Sequence, residues 1–372
     1  MNASSIAVPQ ASPGAAYQAH KGAIDAAIAR VLESGWYILG KEGEAFEAEF
    51  AQWLGTARAV GCANGTDALM LILRGLDIGP GDAVATVSHT AVATVAAIEM
   101  VGARPVLIDI DPATYTMCPR DFAAALARHP DLRAVIPVHL YGQAADLDAI
   151  IPPARERGLY VIEDCSQAHG ATLGGRKLGT IGDAAAFSLY PTKPLAALGD
   201  AGVLATNGVA LADRIAALRQ YGWRERYISD LKGVNSRLDE LQAAILRVRL
   251  PLLDAENARR ATLAAAYDLA LSGTRFSPPV RRAGATHVFH QYVLRATDRA
   301  ATQEALRAHG IATAVHYPVP VHLQPAYRGK IAMGPAECRE TALAATQVMS
   351  LPMFPQLANG QVEAVCAALR SI

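Results

Sequence analysis

The sequence predicts an α/β fold: a mostly parallel central sheet with helices on both faces, followed by a smaller C-terminal α/β part. Three observations predict it. Short apolar runs of strand length alternate with helix-spaced segments and turn glycines, the pattern of βα units covered on both sides. At 372 residues the chain is too long for one small core. The alternation weakens from about Pro251, which divides the chain into an expected large domain, residues 1–250, and a smaller one, residues 251–372.

Taken in order, Ile24, Ile28, Val31 and Leu32 recur at helical spacing before Gly35. Phe46, Phe50, Trp53 and Leu54 then mark one buried face of a second helix, while Trp36 and Tyr37, between glycines, face either a site or a subunit partner. A strand through Val60 to Cys62 leads through Asn64 and Gly65 into a helix carrying Leu69, Ile72 and Leu73. Glycine and threonine at such a helix start leave backbone N–H groups free to meet an anion. Strand-like 83–87, helix-like 92–101, strand-like 105–108 and a further pair ending near 135–143 continue the alternation. Leu238, Leu241, Ile245 and Val248 form the stripe of a long helix, which packing alone explains. Beyond it, residues 289–295 read as a strand and 301–309 as a helix.

Lys plus Arg and Asp plus Glu number 34 each, so electrostatics offer no case for a nucleic-acid partner. No apolar run reaches the roughly 18 residues that span a membrane. The start, MNASSIAVPQ, lacks a basic segment before an apolar stretch, so it does not read as a secretory signal and a cytoplasmic location is expected. The five cysteines are scattered, odd in number and form no CxxC pair, and read as reduced thiols, with Cys165 a packing residue. His287, His290, His316 and His322 find no Cys or Glu to complete a ligand set, so no metal is expected.

The chemistry concentrates at residues 159–193. A short apolar run, 159–162, ends in Glu163 and Asp164; a second, 184–189, ends in Ser188, Tyr190, Thr192 and Lys193. Two strand ends thus offer an acid and an amine to one ligand, as a cofactor with a cationic ring nitrogen and an aldehyde requires. Opposite charges about 4 Å apart in an effective dielectric near 20 gain on the order of 4 kcal/mol, enough to fix the ring's protonation. A lysine must be uncharged to attack an aldehyde, and burial promotes that.

EDCSQAHG, GDAAAFSLYPTK and LGDAGVLATN, in that order, resemble the pyridoxal-phosphate-dependent sugar aminotransferases of the DegT/DnrJ/EryC1/StrS family, within the fold type I group; the likeness runs from about Gly35 to the C-terminus. The resemblance implies pyridoxal 5'-phosphate as cofactor, passing through pyridoxamine phosphate. It makes Lys193 the Schiff-base lysine, Asp164 the partner of the pyridine nitrogen, Gln167 a neighbour of the ring hydroxyl, and Gly65, Thr66 and Ser188 the phosphate ligands. Asn235 resembles the residue that reaches the cofactor phosphate of a neighbouring subunit, implying a homodimer with a shared site. In SHTAVAT, Ala91 stands where the family often stacks an aromatic ring on the cofactor. Pro194 stands where many relatives have Asn, which removes a backbone donor and biases Lys193 toward extended angles. Tyr190, Arg224, His316, Tyr317 and His322 are the expected substrate contacts, the last three on a proline-rich loop resembling one that approaches the sugar. The implied reaction moves an amino group from an amino acid, glutamate by family analogy, to a keto sugar joined to a nucleotide. The rivals within the family are a sugar dehydratase, which carries His at the position of Lys193, and a non-catalytic regulator.

Overall fold

The computed structural model describes residues 7–372. Its centre is an eight-stranded sheet in which, from one edge, Arg58–Cys62, Gly202–Thr206, Ala184–Ser188, Tyr160–Asp164, Leu132–Val135, Ala83–Val87, Arg104–Ile108 and Ala332–Met333 lie side by side. Gly202–Thr206 runs antiparallel to both its neighbours, and the remaining pairings are parallel. The strand expected within 135–143 instead ends at Val135, and residues Leu140–Gly142 form a short 3-10 turn.

Alternation along each strand assigns side chains to two faces. Ala184, Ala186 and Leu204 pack with Leu69, Ile72, Ile98 and Ile215, from the helices Gly65–Gly75, Ala93–Met100 and Val209–Leu218. Ala185, Phe187 and Val203 face the other way, onto Phe46, Phe50 and Leu246 of the helices Lys41–Leu54 and Glu240–Arg249. Phe46, Phe50 and Phe187 are fully buried there, at about 2–3 kcal/mol each. In Tyr160–Asp164 the same alternation puts Ile162 and Asp164 on the face of the first set of helices, and Val161 and Glu163 on the opposite face, where Val161 packs with Phe122 and Ile150 of the helices Pro119–Arg128 and Leu147–Glu156.

The C-terminal part has its own core. Tyr292–Arg295 pairs antiparallel with Val348–Leu351, and Tyr267, Leu271, Leu306, Val365 and Leu369 pack around them from the helices Leu253–Leu271, Arg299–Ala308 and Asn359–Ser371. Two segments cross the expected boundary between residues 250 and 251. Val8 packs in the C-terminal core and bridges to Ile311, while Ala332–Met333 joins the large sheet beside Arg104–Ile108. Short, locally featureless segments carry no period from which to read such long-range partners.

Candidate active site

A cavity of about 510 Å³ opens at the carboxyl ends of Tyr160–Asp164 and Ala184–Ser188, beneath the start of the helix Gly65–Gly75. These two strands are adjacent and parallel, with Asp164 opposite Ala186, so their ends bring Asp164 and Ser188 to the same edge of the sheet. Gly65, Thr66, Ala91, Asp164, Gln167, Ser188, Tyr190 and Lys193 all line it.

Each group is held by identifiable partners. Asp164 is 4 % exposed; its Oδ2 accepts from Thr94 Oγ1 at 2.9 Å and its Oδ1 from the Ser166 amide at 3.1 Å. These two donors fix the orientation of the carboxylate in the cleft. Lys193 is half-buried, and burial pushes its amine down from 10.5 to about 8, against the opposing pull of the Asp164 charge. The side chain of Asn64 caps the next helix by accepting from the Asp67 amide at 2.8 Å. Gly65 and Thr66 open that helix, where backbone amides have no intrahelical acceptor. A Cβ on Gly65 would lie 2.7 Å from Ser188 Cβ, so only glycine brings this helix start so near the strand end.

Gln167 is fixed from both sides: its Oε1 accepts from the Tyr141 amide at 2.7 Å and its Nε2 donates to Tyr317 Oη at 3.1 Å. Tyr141 Oη also donates to the His316 carbonyl and lies 2.8 Å from His89 Nε2. His316 and Tyr317 thus reach the cavity's wall at one remove rather than lining it. His322 is turned away from it, with Nδ1 2.7 Å from Ser88 Oγ. Arg224 lies in the exposed hairpin formed by Trp223–Glu225 and Ile228–Ser229, 3.8 Å from Asp230. Asn235 is exposed and bridges Gln220. Neither lines the cavity of its own chain.

Thr94, Ser166 and Tyr141 were not singled out by the sequence. Thr94 lies in the SHTAVAT segment, and its signal is a hydroxyl in the first turn of the helix that faces Asp164.

Behind the sheet, Glu163 has a different task. It accepts from the amides of Gly179, Ile181 and Gly182 and from His139 Nε2, at 2.7 to 3.1 Å. Burial alone would raise its carboxyl, but His139 and these amides outweigh that and hold it below its ordinary range. His139 Nδ1 accepts from the Ala145 amide at 3.0 Å, so both ring nitrogens are engaged within the protein. His139, Glu163 and Cys165 place ligand atoms within 4.8 Å of one another, but this full hydrogen bonding makes the cluster a brace for the strand end rather than a metal centre.

The donor set fits a planar, anionic, aldehyde-bearing cofactor: a buried carboxylate fixed by two hydrogen bonds, an amine shifted toward neutrality, and open amides beside a hydroxyl. Fold and site together define a fold type I aminotransferase. The chain belongs to the DegT/DnrJ/EryC1/StrS aminotransferase family, whose model matches residues 18–370. It is 46 % identical, over 98 % of this chain and 95 % of the relative, to the dTDP-3-amino-3,4,6-trideoxy-alpha-D-glucose transaminase of Streptomyces venezuelae. It is 43 % identical, over 92 % of each, to the UDP-N-acetyl-3-dehydro-alpha-D-glucosamine 3-aminotransferase of Acidithiobacillus ferrooxidans. The crystal structure of S. venezuelae DesV in complex with a ketimine intermediate superposes with a TM-score of 0.94, at 46 % identity and 98 % coverage of both chains. No helix among the described residues is long and apolar enough to cross a membrane.

Proposed function

We propose that this chain transfers an amino group from an amino acid, L-glutamate, to the 3-keto carbon of a nucleotide-linked hexose, with pyridoxal 5'-phosphate held in the 510 Å³ cavity. One observation carries this reading: the Asp164 carboxylate and an amine whose pKa burial has lowered to about 8 line one cleft at neighbouring strand ends. The position of the keto group rests on the two transaminase relatives, both named for nitrogen at carbon 3.

When bound, pyridoxal phosphate supplies an aldehyde that captures amines and a cationic ring that accepts the electrons released when a C–H bond breaks. Asp164, oriented by hydrogen bonds from Thr94 and the Ser166 amide, would face the ring nitrogen and favour its protonated form. Lys193 would hold the aldehyde and, once released, could move a proton at the reacting carbon, a task suited to a base near neutrality. The amides of Gly65 and Thr66, with Ser188, bind the phosphate. Gln167 has a second N–H that would be free for the ring hydroxyl, and Ala91 would offer the ring no aromatic neighbour. Tyr190, Arg224, His316, Tyr317 and His322 are assigned to the substrate side, directly or through the loop that carries the last three.

The working unit is a homodimer in which Asn235 reaches the partner's cofactor phosphate. Exposure of Trp36, Tyr37, Tyr190, Tyr221, Tyr227 and Ile228 supports an apolar surface awaiting a second copy. The two domains, 1–250 and 251–372, and a cytoplasmic location complete the reading. The test is incubation of the pure protein with glutamate and a panel of nucleotide keto sugars, followed by mass analysis. An aminated sugar with matching 2-oxoglutarate is expected; a deoxygenated sugar without amine transfer, or no cofactor imine at all, would overturn it.

A further inference from the structure

Lys193 lines a second, much smaller cavity of about 30 Å³ besides the main one. Besides Pro191–Lys193, its walls come from Ala11–Pro13, from the buried side chains of Arg249, Arg260 and His290, and from the segment Met353–Gln356. Arg249 and Arg260 are each 5 % exposed, and between them stands one buried carboxylate, Glu256.

That carboxylate is already committed. Glu256 Oε2 lies 3.3 Å from Arg249 Nη2, while its Oε1 accepts from Gln356 Nε2 at 3.2 Å and lies 3.7 Å from His20 Nε2. Arg260 keeps one hydrogen bond, from Nη1 to Asn257 Oδ1 at 3.1 Å, and no carboxylate lies within ion-pair reach of it among the described residues. A guanidinium has five N–H donors and stays charged in proteins. Burying such a charge without a partner is strongly unfavourable, and the usual resolution is a counter-charge in contact with it. Burial depresses the Arg260 guanidinium to about 10, with the Glu256 charge pulling the other way and Arg249 adding to the depression, which still leaves it cationic at neutral pH. Glu256 is thus shared in charge between the two arginines, while of the two it contacts only Arg249. His290, buried in the same wall and held neutral, adds a ring N–H donor.

We propose that this cavity binds one small monovalent inorganic anion, of chloride size, between Arg260, Arg249 and His290. The size selects the class: a void of about 30 Å³ admits a halide or a water but not an amino-acid carboxylate with its chain. The bound anion neutralises Arg260 and ties the N-terminal stretch, the Leu253–Leu271 helix and the Met353–Gln356 segment together behind the catalytic lysine. The inference does not depend on the substrate or on the transamination reading.

The test uses the cofactor-loaded enzyme. Thermal unfolding is followed while chloride replaces gluconate, an anion too large for the cavity, at constant ionic strength. A saturating rise of roughly 2–4 °C is expected in chloride. The rise should vanish in Arg260→Met and shrink in His290→Phe, which keeps the fold if the first variant does not. Crystals soaked in bromide should give an anomalous peak within hydrogen-bond distance of Arg260. Equal behaviour in chloride and gluconate, or a cavity holding only water or a partner subunit's carboxylate after the soak, overturns the proposal.

Discussion

The protonation of Lys193 is the most direct physical consequence of the site. Its amine lies near 8 rather than 10.5, chiefly because burial disfavours the charged form, with Asp164 pulling the other way. At pH 7 about one molecule in ten then carries a neutral amine, against about one in three thousand for an unshifted lysine, a gain of roughly 300-fold in nucleophile. Mixing cofactor-free protein with pyridoxal phosphate and following the near-visible absorbance of the lysine-linked cofactor measures this. The rate should climb as pH rises and level off above an inflection near 8. Asp164→Asn removes the charge that favours the ammonium form, so the inflection should move to lower pH. An inflection near 10.5 in the unmodified protein, or an upward move in Asp164→Asn, would refute the argument.

Other expectations are simpler to state. Lys193→Ala should abolish turnover and the near-visible absorbance while cofactor still binds through its phosphate; a fully active variant would end the assignment. Gly65→Ala places a Cβ 2.7 Å from Ser188 Cβ and 3.0 Å from its Cα, so it should weaken cofactor retention on dialysis at least tenfold and cost about 1–3 kcal/mol in denaturant unfolding. Glu163→Gln removes the charge that organises three amides and His139, a loss of roughly 3 kcal/mol by the same assay. Because the Glu163 carboxyl is held below its ordinary range, its contribution is present at neutral pH and fades as pH falls through that range. The deficit of the variant should shrink accordingly in acid.

Much of this site was legible before any coordinates. Asp164, Ser188 and Lys193 could be brought together because strand length and alternation predict where a parallel strand ends, and such ends share one edge of the sheet. For Gly65 and Thr66 the helix start alone left an ordinary capped turn open, and it was the family resemblance of the NGT motif that pointed to the phosphate. The division of labour between Glu163 and Asp164 follows from the two-residue period of a strand, once one knows which face is covered by which helices. Thr94 and Tyr141 escaped because their partners lie 70 and 26 residues away, at Asp164 and Gln167, and nothing local encodes those meetings. The HYPVPVH loop was placed near the ligand as a whole, but its side chains diverge: Tyr317 touches Gln167, whereas His322 turns to Ser88.

The outermost strand of the sheet has a bearing on how the protein is made. Ala332 pairs with Val106, so Arg104–Ile108 stays a bare edge until the ribosome has released almost the whole polypeptide. During synthesis that edge is a template for any other extended chain, and a fragment ending at residue 250 keeps it bare for good. The expected large domain expressed alone is thus a fragment prone to self-association, completed as a monomeric sheet only by a segment from the far side of the sequence.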